Sequence, residues 1–277
     1  MGEIRAIDLG EPALLEFSGP DAARFLNGQM TQDVRRVAGG KMSVPSCLTD
    51  AKGKLQFRVW ITENDAGHLW VAGAAGSAET LEARLTRYLI ADEVEVADLT
   101  GKFALVHLLG DVPPPPPGVM ARQAERVGEP GTDWWLPAGV GFVIPEGGRT
   151  MAADELEALR ISRGIPAWGR ELTEGMLPPE ALLEATDISY QKGCYIGQEV
   201  ISRIKSAGKV NRRLSRLVID ASVELVSGPL EDGAGEVTSV SPLAEDGNRH
   251  ALGYLKRNAE EPRYRAPDGT VHAVRVI

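Results

Sequence analysis

Short apolar runs broken by turn-forming residues dominate the first hundred positions. Residues 13–17 (ALLEF) predict a strand, and Ser18-Gly19-Pro20-Asp21 then opens a helix. Ser18 or Asp21 can cap that helix, and Pro20 suits its first turn. Phe25, Leu26 and Met30 give it an apolar face. Three further apolar-rich runs follow at 43–48, 54–62 and 68–73, separated by Asp50-Ala51-Lys52-Gly53 and Asn64-Asp65-Ala66-Gly67. Those separators are turn sequences, so the pattern predicts an antiparallel meander. Leu81, Leu85, Tyr88 and Leu89 recur at helical spacing over 78–90, and Val94 and Val96 mark another strand. Strands and helices joined by short hairpin connections predict an α+β fold in two layers.

Residues 102–109 (KFALVHLL) predict a new strand, followed by five consecutive prolines at 113–117. The prolines favour a stiff polyproline II segment, read as a surface loop tip, with a recognition motif for a proline-binding partner as the alternative. Asp154 can cap a helix running to about residue 163, with Leu156 and Leu159 facing inward. Pro178-Pro179-Glu180 opens another short helical segment. Beyond about residue 205, strand-like pieces at 213–220, 235–240, 251–257 and 271–276 are linked by Gly, Pro, Asp and Asn, which predicts a small all-β, barrel-like module. The segments so marked are 1–100 (α+β), 101–205 (α+β) and 206–277 (β).

Composition narrows the function. A chain of 277 residues suggests two or three domains, and 43% hydrophobic with 25% charged residues suffices for ordinary cores. The net charge of −9 argues against direct DNA binding through phosphate neutralisation. No run of 18 apolar residues is present, and the start lacks a secretory pattern. Met1-Gly2 hints at myristoylation, but Ala6 replaces the usual Ser or Thr. These features predict a cytoplasmic protein without a membrane span. The two cysteines, Cys47 and Cys194, cannot supply a four-cysteine metal site, and the four histidines lack ligand spacing beside them. No metal site is expected on this chain, and Cys47 is expected in the core.

Residues 190–204 (YQKGCYIGQEVISRI) carry the candidate chemistry. Val200, Ile201 and Ile204 are spaced for a helix, so Gln198 to Ile204 is expected to enter one. Cys194 then sits in the turn before that helix or near its start, where the helix dipole and a nearby cation favour a thiolate. Lys192 can supply that cation. Gly193 permits a backbone conformation barred to other residues, and Gly197 lets a ligand or another backbone approach closely. From composition alone, Cys194 can equally be a buried structural thiol.

The string Lys192-Gly193-Cys194-Tyr195-Ile196-Gly197-Gln198-Glu199 resembles the KGCYxGQE signature of the YgfZ-type, folate-binding relatives of the glycine-cleavage T-protein. Ser18 to Ala22, Phe25-Leu26, Gln29 to Asp33, Leu159 to Pro166 and Met176 to Glu180 are similar to other blocks of that family. The resemblance implies three modules around a central opening that accepts tetrahydrofolate: two α+β modules and a C-terminal β-barrel-like one. It implies an accessory protein for assembly or repair of iron–sulfur enzymes, including radical enzymes that modify tRNA. Cys194 and Lys192 would be the reactive pair. Tyr195, Gly197, Gln198, Glu199, Arg203 and Ser162 would lie at the folate site, and the partners would be folate and iron–sulfur client enzymes.

Two departures qualify the resemblance. The T-protein's catalytic aspartate follows the first meander turn, where this chain has Gln56, and an amide cannot exchange a proton as a carboxylate does. That counts against classical aminomethyl transfer, which stays an alternative beside a scaffold without folate. Ser162 stands where T-protein relatives have a glutamate able to accept a pterin's adjacent N–H and amino groups together. Glu171, Glu180 and Glu199 are candidate replacements. Arg203, Lys205, Lys209, Arg212 and Arg213 form a basic run suited to a folate tail or an acidic partner. Trp134, Trp135 and Trp168 can stack on a pterin or serve as packing.

Overall fold

The computed structural model describes residues 3–208 and 210–277, so Met1, Gly2 and Lys209 lie outside the described residues. The chain divides into two compact units: Met1–Met151 with Glu184–Val200, and Ala152–Leu183 with Ile201–Ile277.

The first unit holds, in chain order, β1 (Ile4–Asp8), β2 (Ala13–Ser18), α1 (Ala22–Gln29), β3 (Ser43–Thr49), β4 (Leu55–Glu63), β5 (Leu69–Gly73), α2 (Ala78–Thr86), β6 (Glu95–Asp98), β7 (Phe103–Leu109), β8 (Met120–Ala124), β9 (Gly131–Pro137) and β10 (Gly148–Thr150). One antiparallel sheet has the order β3-β4-β5-β2-β6 and contains the expected meander. The second has the order β10-β1-β7-β9-β8, so the first strand of the chain skips the adjacent sheet and joins the later one.

Alternating burial along these strands gives each sheet two apolar faces. One face of the first sheet (Phe17, Leu48, Ile61, Val71) packs against Leu26 of α1 and Leu81 and Leu85 of α2. Its other face meets the second sheet through Leu14, Trp70, Leu105 and Trp135. Trp70 and Trp135 pack edge to face with ring centroids 5.4 Å apart. Trp134 faces the opposite side with Ile4, Val106 and Leu108, so both indoles are packing residues, whereas Trp168 is exposed. Asp21 precedes α1 but makes no side-chain cap. Its carboxylate instead accepts the Glu93 N–H and pairs with Arg24, tying the start of α1 to the segment before β6. The proline run lies in the loop between β7 and β8, without regular structure.

The second unit contains α3 (Ala153–Ser162), most of α4 (Gln198–Ala207), β11 (Arg212–Asp220), β12 (Gly228–Pro229), β13 (Gly235–Glu245), β14 (Asn248–Lys256), β15 (Arg263–Arg265), β16 (Val271–Ala273) and β17 (Arg275–Val276). An antiparallel sheet of order β12-β13-β14-β11-β17 and the β15-β16 hairpin enclose one apolar cluster with Leu217, Val237, Ala251 and Tyr264. Asp154 lies in the first turn of α3 rather than at its cap, which is Ala152. The buried positions of α3 are Arg160 and Ile161, not Leu156 and Leu159, which are half-buried. An arginine faces inward because Glu157, Glu171, Ser239 and the Ile165 carbonyl satisfy its guanidinium. Among the described residues, no helix is long and apolar enough to cross a membrane.

Candidate functional site

The signature reaches its place as a strap over the first sheet. Residues 184–200 return to the first unit and run beside the segment between α1 and β3. Thr31 Oγ1 donates to the Asp187 carbonyl at 2.6 Å, Gln32 Nε2 to the Thr186 carbonyl at 2.7 Å, and the Ser189 N–H to the Thr31 carbonyl at 2.9 Å. The Asp187 carboxylate is fully buried and takes two hydrogen bonds from Arg58 on β4, at 2.7 and 3.1 Å. A bidentate pair of this kind fixes orientation as well as position.

Lys192 makes the tightest attachment. Its Nζ donates to the carbonyls of Asn27 (2.7 Å), Met30 (2.6 Å) and Gln32 (2.9 Å). The Tyr195 ring centroid lies 5.2 Å from the same nitrogen. Burial pushes the lysine pKa down to about 7, against the attraction of Asp33. The three carbonyls pull the other way, because only an ammonium has three N–H groups to give them. The cation expected beside the thiol therefore directs all its donors at main-chain oxygens where α1 ends. Its geometric role is to pin the strap.

On the far side of the cysteine, the Ile196 N–H donates to the Gly28 carbonyl, and the Ile196 carbonyl accepts from Thr49 Oγ1 at 2.6 Å. Gly197 has φ +85°, and a Cβ there would stand 2.5 Å from the Asp50 carbonyl oxygen, 2.7 Å from Thr49 Oγ1 and 2.9 Å from the Gly53 Cα. The close approach expected at Gly197 is thus made by the backbone of the β3–β4 turn. Gly193 does not have positive φ, and open space surrounds it. Gly197→Ala is expected to cost about 2–4 kcal/mol in urea unfolding, since it adds a backbone clash to a left-handed conformation. A loss below about 0.5 kcal/mol would show that the turn yields freely.

Cys194 sits between these two anchors, exposed and unpaired with Cys47, four residues before α4 begins at Gln198. Tyr195 is buried, its hydroxyl has no hydrogen-bond partner among the described residues, and burial raises its pKa well above the usual phenol range. Gln198 and Glu199 open α4, and Glu199 and Arg203 are exposed four residues apart on it. Cys47 is buried, and its thiol pKa is raised well above the ordinary value by loss of solvent.

Gln56 accepts from Arg84 Nε, and the same buried guanidinium reaches Gln29 Oε1 (2.9 Å) and the Thr49 carbonyl (2.8 Å). Arg84 thereby supports the residue that holds Ile196. Periodicity in α2 did not reveal this, because an arginine between leucines at helical spacing reads as a solvated face. In the second unit, Ser162 Oγ donates back to the Leu159 carbonyl. Glu171 is buried and accepts from Thr238 (2.7 Å), Ser239 (2.6 Å), Arg160 (2.9 Å) and the Ala167 N–H (3.0 Å). Glu180 pairs with Arg212, which also pairs with Glu236 and lies over the Tyr254 ring. Of the basic run, Arg203, Lys205 and Arg213 are exposed, and Arg212 is held in these contacts.

No family model matches the chain. It is 27% identical over 289 residues to a chloroplast protein of Arabidopsis thaliana described as a transferase, covering 91% of this chain but only 65% of that relative's length. It is 28% identical over 235 residues to the tRNA-modifying protein YgfZ of Klebsiella pneumoniae, covering 77% of this chain and 71% of the relative. The YgfZ of Escherichia coli O157:H7 is 26% identical over 240 residues. The crystal structure of the glycine cleavage system aminomethyltransferase T from Bartonella henselae superposes with a TM-score of 0.76 at 19% identity, covering 99% of this chain and 85% of that one.

Proposed function

We propose, starting from a YgfZ-type chain with the fold of the glycine-cleavage T-protein, that it is a folate-binding accessory protein which supports iron–sulfur enzymes through Cys194. One observation carries this reading. The signature residues on both sides of the cysteine are bound within the first unit, Lys192 to carbonyls where α1 ends and Ile196 to Thr49 of β3, while the sulfur itself is left exposed. Such an arrangement presents a thiol to something outside the chain. The clients would be iron–sulfur enzymes, including those that modify tRNA.

The residues present fit tetrahydrofolate in part. Tyr195 has an unpartnered buried hydroxyl, and Glu199 and Arg203, one helical turn apart, offer a carboxylate and a guanidinium. Glu171 already accepts four hydrogen bonds, and Glu199, a signature residue exposed at the start of α4, is the proposed pterin acid. Bound folate would supply one-carbon chemistry. Gln56, engaged by Arg84, is not a proton acceptor for classical aminomethyl transfer.

The test is Cys194→Ala in cells that lack the wild-type chain. Client activity, read as the modification level of tRNA, is expected to fall several-fold, with unfolding free energy within about 0.5 kcal/mol of wild type because an exposed side chain is removed. Full client activity at normal protein level would refute the thiol role. Calorimetric titration with tetrahydrofolate, repeated on Glu199→Gln, tests the folate role separately.

A further inference from the structure

A cavity of about 560 Å³ opens in the first unit between the edge strands β3 and β8. Met42, just before β3, forms an isolated parallel bridge with Gln123 of β8. The cavity's volume is that of an ordinary small-molecule site. Its walls include Arg36, Ser43, Gln123, Glu125 and Thr132, and no signature residue. Ser43 stands at the end of β3 opposite Thr49, which holds Ile196. Six residues of strand separate the two by roughly 20 Å.

Two charged side chains in these walls are exposed, and one hydroxyl is buried without a partner. Ser43 is only 5% exposed, and its Oγ has no hydrogen-bond partner among the described residues. The Arg36 and Glu125 side chains make no ion pair there, with each other or with any described residue. Their neighbours behave differently. Arg35 pairs with Asp33, Arg122 with Asp65, and Arg126, adjacent to Glu125 in sequence, gives two N–H groups to Asp133. Among the lining residues, Arg36 is the cation and Glu125 the anion, and they are not paired with each other.

We propose that this cavity binds a small zwitterion of amino-acid or dipeptide size. The guanidinium of Arg36 receives the carboxylate as a bidentate pair, and Glu125 receives the ammonium. Thr132 hydrogen-bonds the polar middle of the ligand. A phosphate-like dianion would be repelled by Glu125, and a diamine by Arg36.

Titration of the full chain with glycylglycine, N-acetylglycylglycine and glycylglycinamide, followed by NMR, tests this site independently of Cys194 and folate. Glycylglycine should bind saturably in the millimolar range. Each blocked probe should bind about tenfold more weakly, the loss of one charge-assisted contact. Arg36→Ala should bind glycylglycine and its amide alike, and Glu125→Ala should bind glycylglycine and its acetyl form alike. Both side chains are exposed, so the variants should fold. Equal binding of all three probes would overturn the proposal. So would the absence of saturable binding by glycylglycine and the common amino acids up to about 20 mM.

Discussion

Lys192→Met is expected to lower the unfolding free energy by about 3–5 kcal/mol, because it leaves the carbonyls of Asn27, Met30 and Gln32 without their donor. Methionine matches the length and fills the space, so the loss isolates the ammonium's hydrogen bonds. The pH dependence gives a second signature. The folded pKa of about 7 lies below the unfolded value of about 10.4. Between those limits the unfolded chain holds a proton that the folded chain has released, so stability rises with pH, by at most about 1.4 kcal/mol per unit. Urea unfolding at pH 7 and 9 should show this rise in wild type and not in the Met variant. Identical slopes would mean that the three carbonyls keep the lysine charged in the fold. A stability change below about 1 kcal/mol would remove Lys192 as the pin of the strap.

Glu171→Ala is expected to have an effect of similar size in the second unit, about 3–5 kcal/mol, because Arg160, Thr238, Ser239 and the Ala167 N–H all lose a buried acceptor. Tyr254, which donates to the Glu171 carbonyl, should keep that bond. Burial raises the carboxyl pKa, but Ser239, the Ala167 N–H, Thr238 and Arg160 together outweigh it and hold the value below the ordinary glutamate range. A depressed folded pKa gives stability that is complete above the unfolded value of about 4.3 and lost as pH falls through the folded one. The gap between wild type and Glu171→Gln should therefore be full at neutral pH and close in acid. A variant as stable as wild type at pH 7 would show that the network is not needed. It would also return Glu171 to the candidates for pterin recognition.

The sequence by itself determined most local structure of the first unit. Alternating apolar residues and Asp/Asn-Gly turns specify β3, β4 and β5, and the leucines of α2 specify its inward face, because these signals depend on neighbours in the chain. The eight-residue signature also marked the segment that presents the thiol. Tertiary structure alone decided which side chains hold that segment. Lys192 read as a partner for Cys194, two positions away, yet its donors meet carbonyls 160 or more positions earlier. Arg84, Thr49 and Asp187 carried no sequence mark at all. Hydrogen bonds between residues so distant in sequence have no periodicity, and a buried polar side chain looks like an exposed one until the fold supplies its partners.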